Sequence, residues 1–444
     1  MRPTNAYLFR FINAGCVGVA LTVFSMSAAN TRPDIRVNLP WDWSVIIGTG
    51  QSLSVGAQGL PVISTNQPYG NLKLSTDHLP WPIDPADTNL ALVPLVEPVG
   101  RLATNYPSSW PENIDGETPH SAMANQVTAL VRAGLGRDFV SIHSAVGEDG
   151  QGMIFLKKNA VPQGINGHSY EAALIETKAI ARLAKAAGKT CGIGAIIVTH
   201  GESDAGNPDY ENELRRLWQD YNTDLPAITG QKQKIQMIVS QQNSCNDRSS
   251  SALAQWKVGV DHPADMVCSG PKYQYPSVEG VHLTAAGYRQ LGEKYGQVYF
   301  QRVILGKNWQ PLEPTAVERS GKILTVHYRV PVPPLVWDTN LELPHPSIAE
   351  WKDGKGFEVS AAGDKKVAIA SVAISGDDVV ITCAYEPGPG ARVGYAMIGE
   401  TNRMATPFPG TFRWGLLRDS DPFQGAVTGL AQPNFSVAFE MSVP

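Results

Sequence analysis

Five cysteines among 444 residues, with no Cys-x-x-Cys pair and no Cys/His spacing of the metal-ligand kind, give no support for a zinc site. Charged residues make up only 17% of the chain and the formal net charge is −5, so no basic stripe offers itself to a nucleic acid. Glycine (42) and proline (33) are plentiful but follow no period, which excludes collagen and implies many loops. No extended apolar lid segment is present, which disfavours a general lipase. What remains is an ordinary globular composition, 43% hydrophobic, at a length that favours two domains over a single core.

Residues 1–29 stand apart. Arg2 and Arg10 precede an apolar run over 17–24, and Ser27-Ala28-Ala29 supplies small residues for cleavage. This order reads as a secretory signal peptide, since the run is short of the roughly 20 residues that cross a bilayer. The expectation is a secreted or periplasmic protein with no stable membrane insertion after cleavage. In such a compartment Cys191, Cys245, Cys268 and Cys383 meet oxidising conditions. Cys245 and Cys268 bracket one loop-rich segment and are the pair most suited to a disulfide, while Cys191 and Cys383 also fit buried thiols.

Along the chain, a proline- and tryptophan-bearing stretch over 61–120 shows little periodicity, and a loop of that length inside a compact domain suits a substrate cleft as well as a surface excursion. Helical spacing is expected over 122–133, 170–187, 210–225 and from Thr284 to about residue 303. Apolar runs over 138–144, 193–198 and 235–240 read as strands, the later two so continuously apolar that both faces must be covered. Strands alternating with helices predict a parallel sheet with helices on both faces, and in such sheets a site lies at the carboxyl ends of the strands. Beyond about Lys307 the texture becomes short β-type runs over 323–330, 367–374 and 379–384. A β-sandwich-like domain is expected there, with Trp337, Trp351 and Trp414 suiting its core better than a ligand face. The divisions are 1–29, 30–305 and 306–444.

Three islands can carry chemistry. The stretch WSVIIGTGQSLSVG over 43–56 ends a buried strand in a small-residue turn that presents Ser52 where backbone N–H groups can receive an oxyanion. The run Val198-Thr199-His200-Gly201-Glu202-Ser203-Asp204 closes another apolar run. Glu279-Gly280-Val281-His282 precedes the last expected helix and can supply a base with its orienting carboxylate, which a serine hydroxyl needs before it attacks. Gly147, Gly150 and Gly152 follow a strand directly and allow close backbone approach. His200, Glu202 and Asp204 could alternatively hold a metal. His-Gly-Glu also mimics zinc deaminases, but no Pro-Cys-x-x-Cys follows, so that reading fails.

Taken in order, Gly50-Gln51-Ser52-Leu53, Ala145-Val146-Gly147, His200 to Asp204 and Glu279 to His282 resemble the blocks of SGNH (GDSL-type) hydrolases, nearest the sialate O-acetylesterase and acetylxylan esterase branch. The resemblance spans about 43–305 and implies a flavodoxin-like three-layer α/β domain. It implies an exported serine carboxylic ester hydrolase, using no cofactor or metal, that removes acetyl or another small acyl group from a carbohydrate. Ser52 would be nucleophile, His282 base and Glu279 its orienting carboxylate. Ser52, Gly147 and His200 would form the oxyanion hole, and Glu202 and Asp204 would brace the loops. Glu279 stands where the family usually has Asp, and His200 where this branch usually has Gln. Those departures leave open a second class, a carbohydrate-binding or surface protein on this scaffold with impaired catalysis.

Overall fold

A computed structural model describes residues 37, 39–76, 79–105, 108–399 and 412–444. The signal-peptide reading of 1–29 lies outside the described residues, among which no helix is long and apolar enough to cross a membrane.

The apolar run Trp43–Gly50 forms strand β1, buried along nearly its whole length. It is followed by β2 (Leu72–Ser75), β3 (Ala91–Pro94), β4 (Val140–Ala145), β5 (Cys191–Thr199), β6 (Gln236–Gln241) and β7 (Met266–Pro271). These make one sheet in the order β3-β2-β4-β1-β5-β6-β7, parallel throughout except for the antiparallel edge strand β3 on β2. The helices are α1 (Pro119–Leu135), α2 (Met153–Leu156), α3 (Ser169–Ala186), α4 (Tyr210–Thr229), α5 (Ser250–Asp261) and α6 (Ala285–Tyr299).

The two-residue period of the strands sorts their side chains between two helical layers. Val45, Ile47, Ile196 and Val198 pack with Ala172 and Ile175 of α3 and Leu214 and Leu217 of α4. Ile46, Ala195 and Ile197 pack with Met123 and Val127 of α1 and Leu291 and Tyr295 of α6. Each Val, Ile, Leu or Met among them, fully removed from water, contributes about 1.5–3 kcal/mol. Thr284 caps α6 as its position predicts, its hydroxyl accepting from Gly287 N at 3.1 Å. The expected α/β architecture is therefore present, but the stretch over 61–120 is more ordered than its lack of periodicity implied, because it supplies β2 and β3.

After α6 the chain becomes β-rich, as expected. One antiparallel sheet joins Ile369–Ser375, Asp378–Cys383, Ile323–Arg329 and Glu313–Ser320, and another joins Phe357–Ser360, Arg392–Tyr395 and Phe439–Ser442. Trp351 and Trp414 are buried, with their indole N–H groups on backbone carbonyls, so they are core residues. The β region is stitched to the α/β layers. Gln241 exchanges two hydrogen bonds with the Ala438 backbone (2.7 Å each), and Trp256 Nε1 donates to Glu313 at 2.9 Å. The expected Cys245–Cys268 disulfide does not form: Cys268 is a buried thiol within β7, where desolvation pushes it up to about 12.

In the α/β region burial raises two carboxyls, Glu97 and Glu176, to about 7, the neighbouring Glu117 charge adding to the effect on Glu97. A raised carboxyl keeps its proton longer in the folded state, so its stabilising contribution is complete below about pH 4.5 and is lost as pH rises through about 7. For Glu176 the loss approaches 3 kcal/mol, at about 1.4 kcal/mol for each pH unit. Glu176→Gln keeps an oxygen to accept from Trp110 Nε1 (2.6 Å in the native chain) and is expected to flatten the fall in chemical stability between pH 5 and 8. Denaturant midpoints of both proteins across that range check this; parallel curves would assign the slope to other groups.

Candidate active site

Strand register brings the functional loops to one edge. Gly48 of β1 pairs with Ala145 of β4, and Gly50 with Thr199 of β5, so the chain segments carrying Ser52, Gly147 and His200 leave the sheet side by side. Gly50 turns the chain out of β1 with φ at +141°, and a Cβ there would fall 2.1 Å from the Thr199 carbonyl oxygen. Only glycine fits. Ser52 then opens a single 3₁₀ turn, Ser52–Ser54, held by Ser54 Oγ donating to Gln51 O at 2.7 Å.

His282 reaches this turn from beyond β7. Its loop is fixed by Val278 N donating to His282 O (2.8 Å), by Thr284 N donating to Pro276 O (3.0 Å), and by the α6 cap behind it. His282 Nε2 lies 2.8 Å from Ser52 Oγ, and its Nδ1 is hydrogen-bonded to Glu279 Oε1. The same carboxylate oxygen accepts from the His282 backbone N–H at 3.3 Å, so the longer glutamate folds back over one turn to reach the ring. A carboxylate accepts, which puts the proton on Nδ1 and leaves Nε2 to accept the Ser52 hydroxyl proton. Ser52 is only 4% exposed.

Gly147 lies against the serine turn. Val146 N donates to Gly48 O (2.8 Å) and Glu148 N to Gly50 O (3.0 Å), extending the ladder past the end of β4 and holding Gly147 between them. A Cβ on Gly147 would come within 2.0 Å of Ser54 Oγ and 2.8 Å of Gly50 O. The N–H groups of Ser52 and Gly147 have no hydrogen-bond partner among the described residues. Of the alternatives, Gly150 gives its carbonyl to Ser203 Oγ at 3.0 Å, and Gly152 lies against Asp204. Asn113, not singled out in the sequence, anchors this loop: its Nδ2 donates to Gly147 O (2.8 Å) and Ala145 O (3.0 Å). A lone Asn in an aperiodic stretch carries no signal by which to find it.

His200 requires a correction. Expected as an oxyanion donor, it is fully buried with both ring nitrogens engaged. Nε2–H donates to the Gln151 carbonyl at 2.9 Å, and Nδ1 accepts from Tyr210 OH at 2.7 Å. The ring is a strut between β5 and the 150–153 segment, and burial lowers its basicity. The rest of that island acts likewise. Ser203 N donates to Gln51 Oε1 at 3.0 Å, and Asp204 Oδ2 accepts from Met153 N at 2.7 Å, so Asp204 braces the loop beside Gly147. Glu202 instead pairs with Lys272 at 2.7 Å, both almost fully buried; burial favours the protonated carboxyl, but the ammonium outweighs it and holds Glu202 below its ordinary range. A lysine on Glu202 also takes the carboxylate that a metal shared with His200 would need, and among the described residues no group of three His, Cys, Asp or Glu side chains is placed to hold an ion.

Two further carboxyls, Asp115 and Asp149, lie within electrostatic reach of His282. Desolvation, with the Asp149 charge beside it, pushes Asp115 up to about 7, and burial raises Asp149 as well.

Among solved structures the chain is similar to XAC1771, a carbohydrate acetylesterase from Xanthomonas citri, with a TM-score of 0.54 at 13% identity over 90% of this chain and 80% of that one. That likeness is one of fold, a mostly parallel sheet between helices followed by a β-rich region. Weaker likenesses include an Arabidopsis thaliana protein (TM-score 0.41, 18% identity, 60% of this chain and 100% of that one). Another is Est24, a carbohydrate acetylesterase from Sinorhizobium meliloti (0.30, 11%, 58% and 96%). No protein-family model matches the chain, and no curated protein does. Within this α/β fold Ser52, Gly147, Glu279 and His282 converge at one sheet edge, with Gln51 held by Ser203 N and Met153 N by Asp204.

Proposed function

We propose that the protein is a serine esterase that removes acetyl or another small acyl group from a carbohydrate. The hydrogen-bonded line Ser52 Oγ, His282 Nε2, His282 Nδ1, Glu279 Oε1 carries this reading. The fold shared with XAC1771, itself a carbohydrate acetylesterase, supports the substrate class.

In the first step His282 Nε2 takes the Ser52 proton while Oγ bonds to the acyl carbon, and the carbonyl electron pair moves onto its oxygen. The N–H groups of Ser52 and Gly147 are the donors assigned to that oxyanion. As it collapses, the C–O bond to the sugar breaks and His282 returns the proton to the leaving hydroxyl. Water, deprotonated by the same nitrogen, then attacks the acyl-enzyme and releases the carboxylic acid and Ser52. Glu279 holds Nδ1–H throughout and stabilises the imidazolium. Lys272 and Glu202 stay in the supporting wall.

Residues 30–305 are assigned the chemistry, and 306–444 the role of an accessory β-rich region. Export belongs to the proposal and rests on the arginines and apolar run within 1–29. The test is release of acetate from acetylated oligosaccharides by the purified protein; no release across neutral to alkaline pH would favour the impaired-scaffold reading. Glu279→Gln is expected to lower kcat/KM about 10²- to 10⁴-fold by loosening the Nδ1–H tautomer. Glu279→Asp, shorter by one methylene, should retain more activity than Glu279→Gln; equal losses in steady-state rates would mean that carboxylate charge is not what orients His282.

A further inference from the structure

The stretch over 61–120 builds a pocket that the chemistry above does not use. Its cavity is about 520 Å³, within the roughly 300–1,000 Å³ usual for small-ligand sites. Trp81 stands at its wall, 37% exposed. The indole is held on two sides: edge-on to Trp110, with centroids 5.2 Å apart at 86°, and tilted over His168 at 4.7 Å. Trp110 is itself only 4% exposed, and its N–H is tied to Glu176 at 2.6 Å. An exposed tryptophan pinned by buried neighbours is a rigid platform, ordered before any ligand arrives.

Around the platform are polar groups with unused capacity. Arg101 donates from Nη2 to the Leu79 carbonyl at 2.8 Å and lies 3.6 Å from Glu112, yet its buried Nε has no hydrogen-bond partner among the described residues. His168 Nδ1, 3.9 Å from Glu171 Oε2, likewise has no hydrogen-bond partner among the described residues. Ser108 and Thr104 add hydroxyls to the lining. A flat aromatic surface rimmed by N–H and O–H groups matches a pyranose ring, whose C–H face is apolar and whose edge carries hydroxyls.

The pocket is linked to the Gly147 loop through one short segment. Ser108 Oγ, in its wall, donates to Asn113 O at 3.5 Å, and the Asn113 side chain holds the Gly147 carbonyl at 2.8 Å. Asp115, within electrostatic reach of His282, keeps a buried Oδ2 with no hydrogen-bond partner among the described residues. A sugar seated on Trp81 would therefore lie against the segment that anchors the Gly147 loop.

We propose that the Trp81–Trp110 pocket is a glycan subsite that binds an unacylated pyranose of an oligosaccharide and so selects polymeric over monomeric esters. The assignment of its role in selection rests on the esterase reading; the binding itself does not. The test uses unacetylated tetrasaccharides of xylan, mannan and chitin with a Ser52→Ala protein, followed by intrinsic fluorescence and calorimetry, and acetylated forms of the same sugars with the Ser52 protein.

Binding of at least one tetrasaccharide is expected, weakened about 10- to 100-fold by Trp81→Ala and partly restored by Trp81→Phe. In turnover, Trp81→Ala should lower kcat/KM on the acetylated tetrasaccharide by a similar factor, chiefly through KM, and leave p-nitrophenyl acetate hydrolysis within about twofold. Binding by none of the sugars, binding indifferent to Trp81, or an equal loss on p-nitrophenyl acetate would each overturn the proposal. Trp81-dependent binding in a protein that hydrolyses no ester would retain the subsite and remove the esterase reading.

Discussion

Ser52→Ala is expected to lower kcat/KM for p-nitrophenyl acetate by about 10⁴- to 10⁶-fold, because every later step passes through the bond that Oγ forms. The substitution removes one atom from a 3₁₀ turn whose other hydrogen bonds, from Ser54 Oγ to Gln51 O and from Ala57 N to Ser52 O, do not involve it. The lost side-chain contact is the 2.8 Å bond to His282, so the fold should persist, with thermal stability close to that of the native chain. Residual rate should come from the N–H groups of Ser52 and Gly147, which the substitution leaves in place. A variant retaining a tenth of the native rate would place the nucleophile elsewhere.

His282→Gln should cost a comparable factor, about 10⁴- to 10⁶-fold, since without an acceptor for its proton the Ser52 hydroxyl is a poor nucleophile. The decisive feature is non-additivity. A base and its nucleophile act as one unit, so the double variant Ser52→Ala/His282→Gln should be no slower than either single variant, within about threefold. Steady-state rates for the four proteins measure this. A double variant slowed by the product of the two single losses would show that Ser52 and His282 act independently, despite the 2.8 Å separation.

Much of this arrangement was readable before the fold was known, for physical reasons. A strand covered on both faces leaves an unmistakable apolar run, so β1, β5 and β6 were legible, and the carboxyl-edge rule then gathered Ser52, Gly147 and the 198–204 island. The pairing of His282 with Glu279 was readable as a possibility because three residues can close one turn. What sequence could not supply was the direction of a side chain. His200 follows a strand as an oxyanion donor should, yet it points back to Tyr210 and Gln151, because its neighbours satisfy both nitrogens.

Long-range partners were similarly hidden. Lys272 lies 70 residues from Glu202, and Asn113 lies 34 from Gly147, separations at which no local pattern survives. Strands β2 and β3, at one side of the sheet, were missed because each is four residues long, too short for alternation to register. The disulfide expectation failed for a related reason: bracketing a loop says nothing of whether two Cβ atoms meet, and Cys268 is committed to the interior of β7.

The most direct measurement of the central claim is covalent labelling by diethyl p-nitrophenyl phosphate, read by mass spectrometry of the intact chain and its peptides. A hydroxyl activated by an imidazole should displace p-nitrophenolate and retain the phosphoryl group. The expected result is a single modification on the peptide containing Ser52, absent in Ser52→Ala and greatly slowed in His282→Gln. No modification of the native protein, or one on a peptide without Ser52, would contradict it.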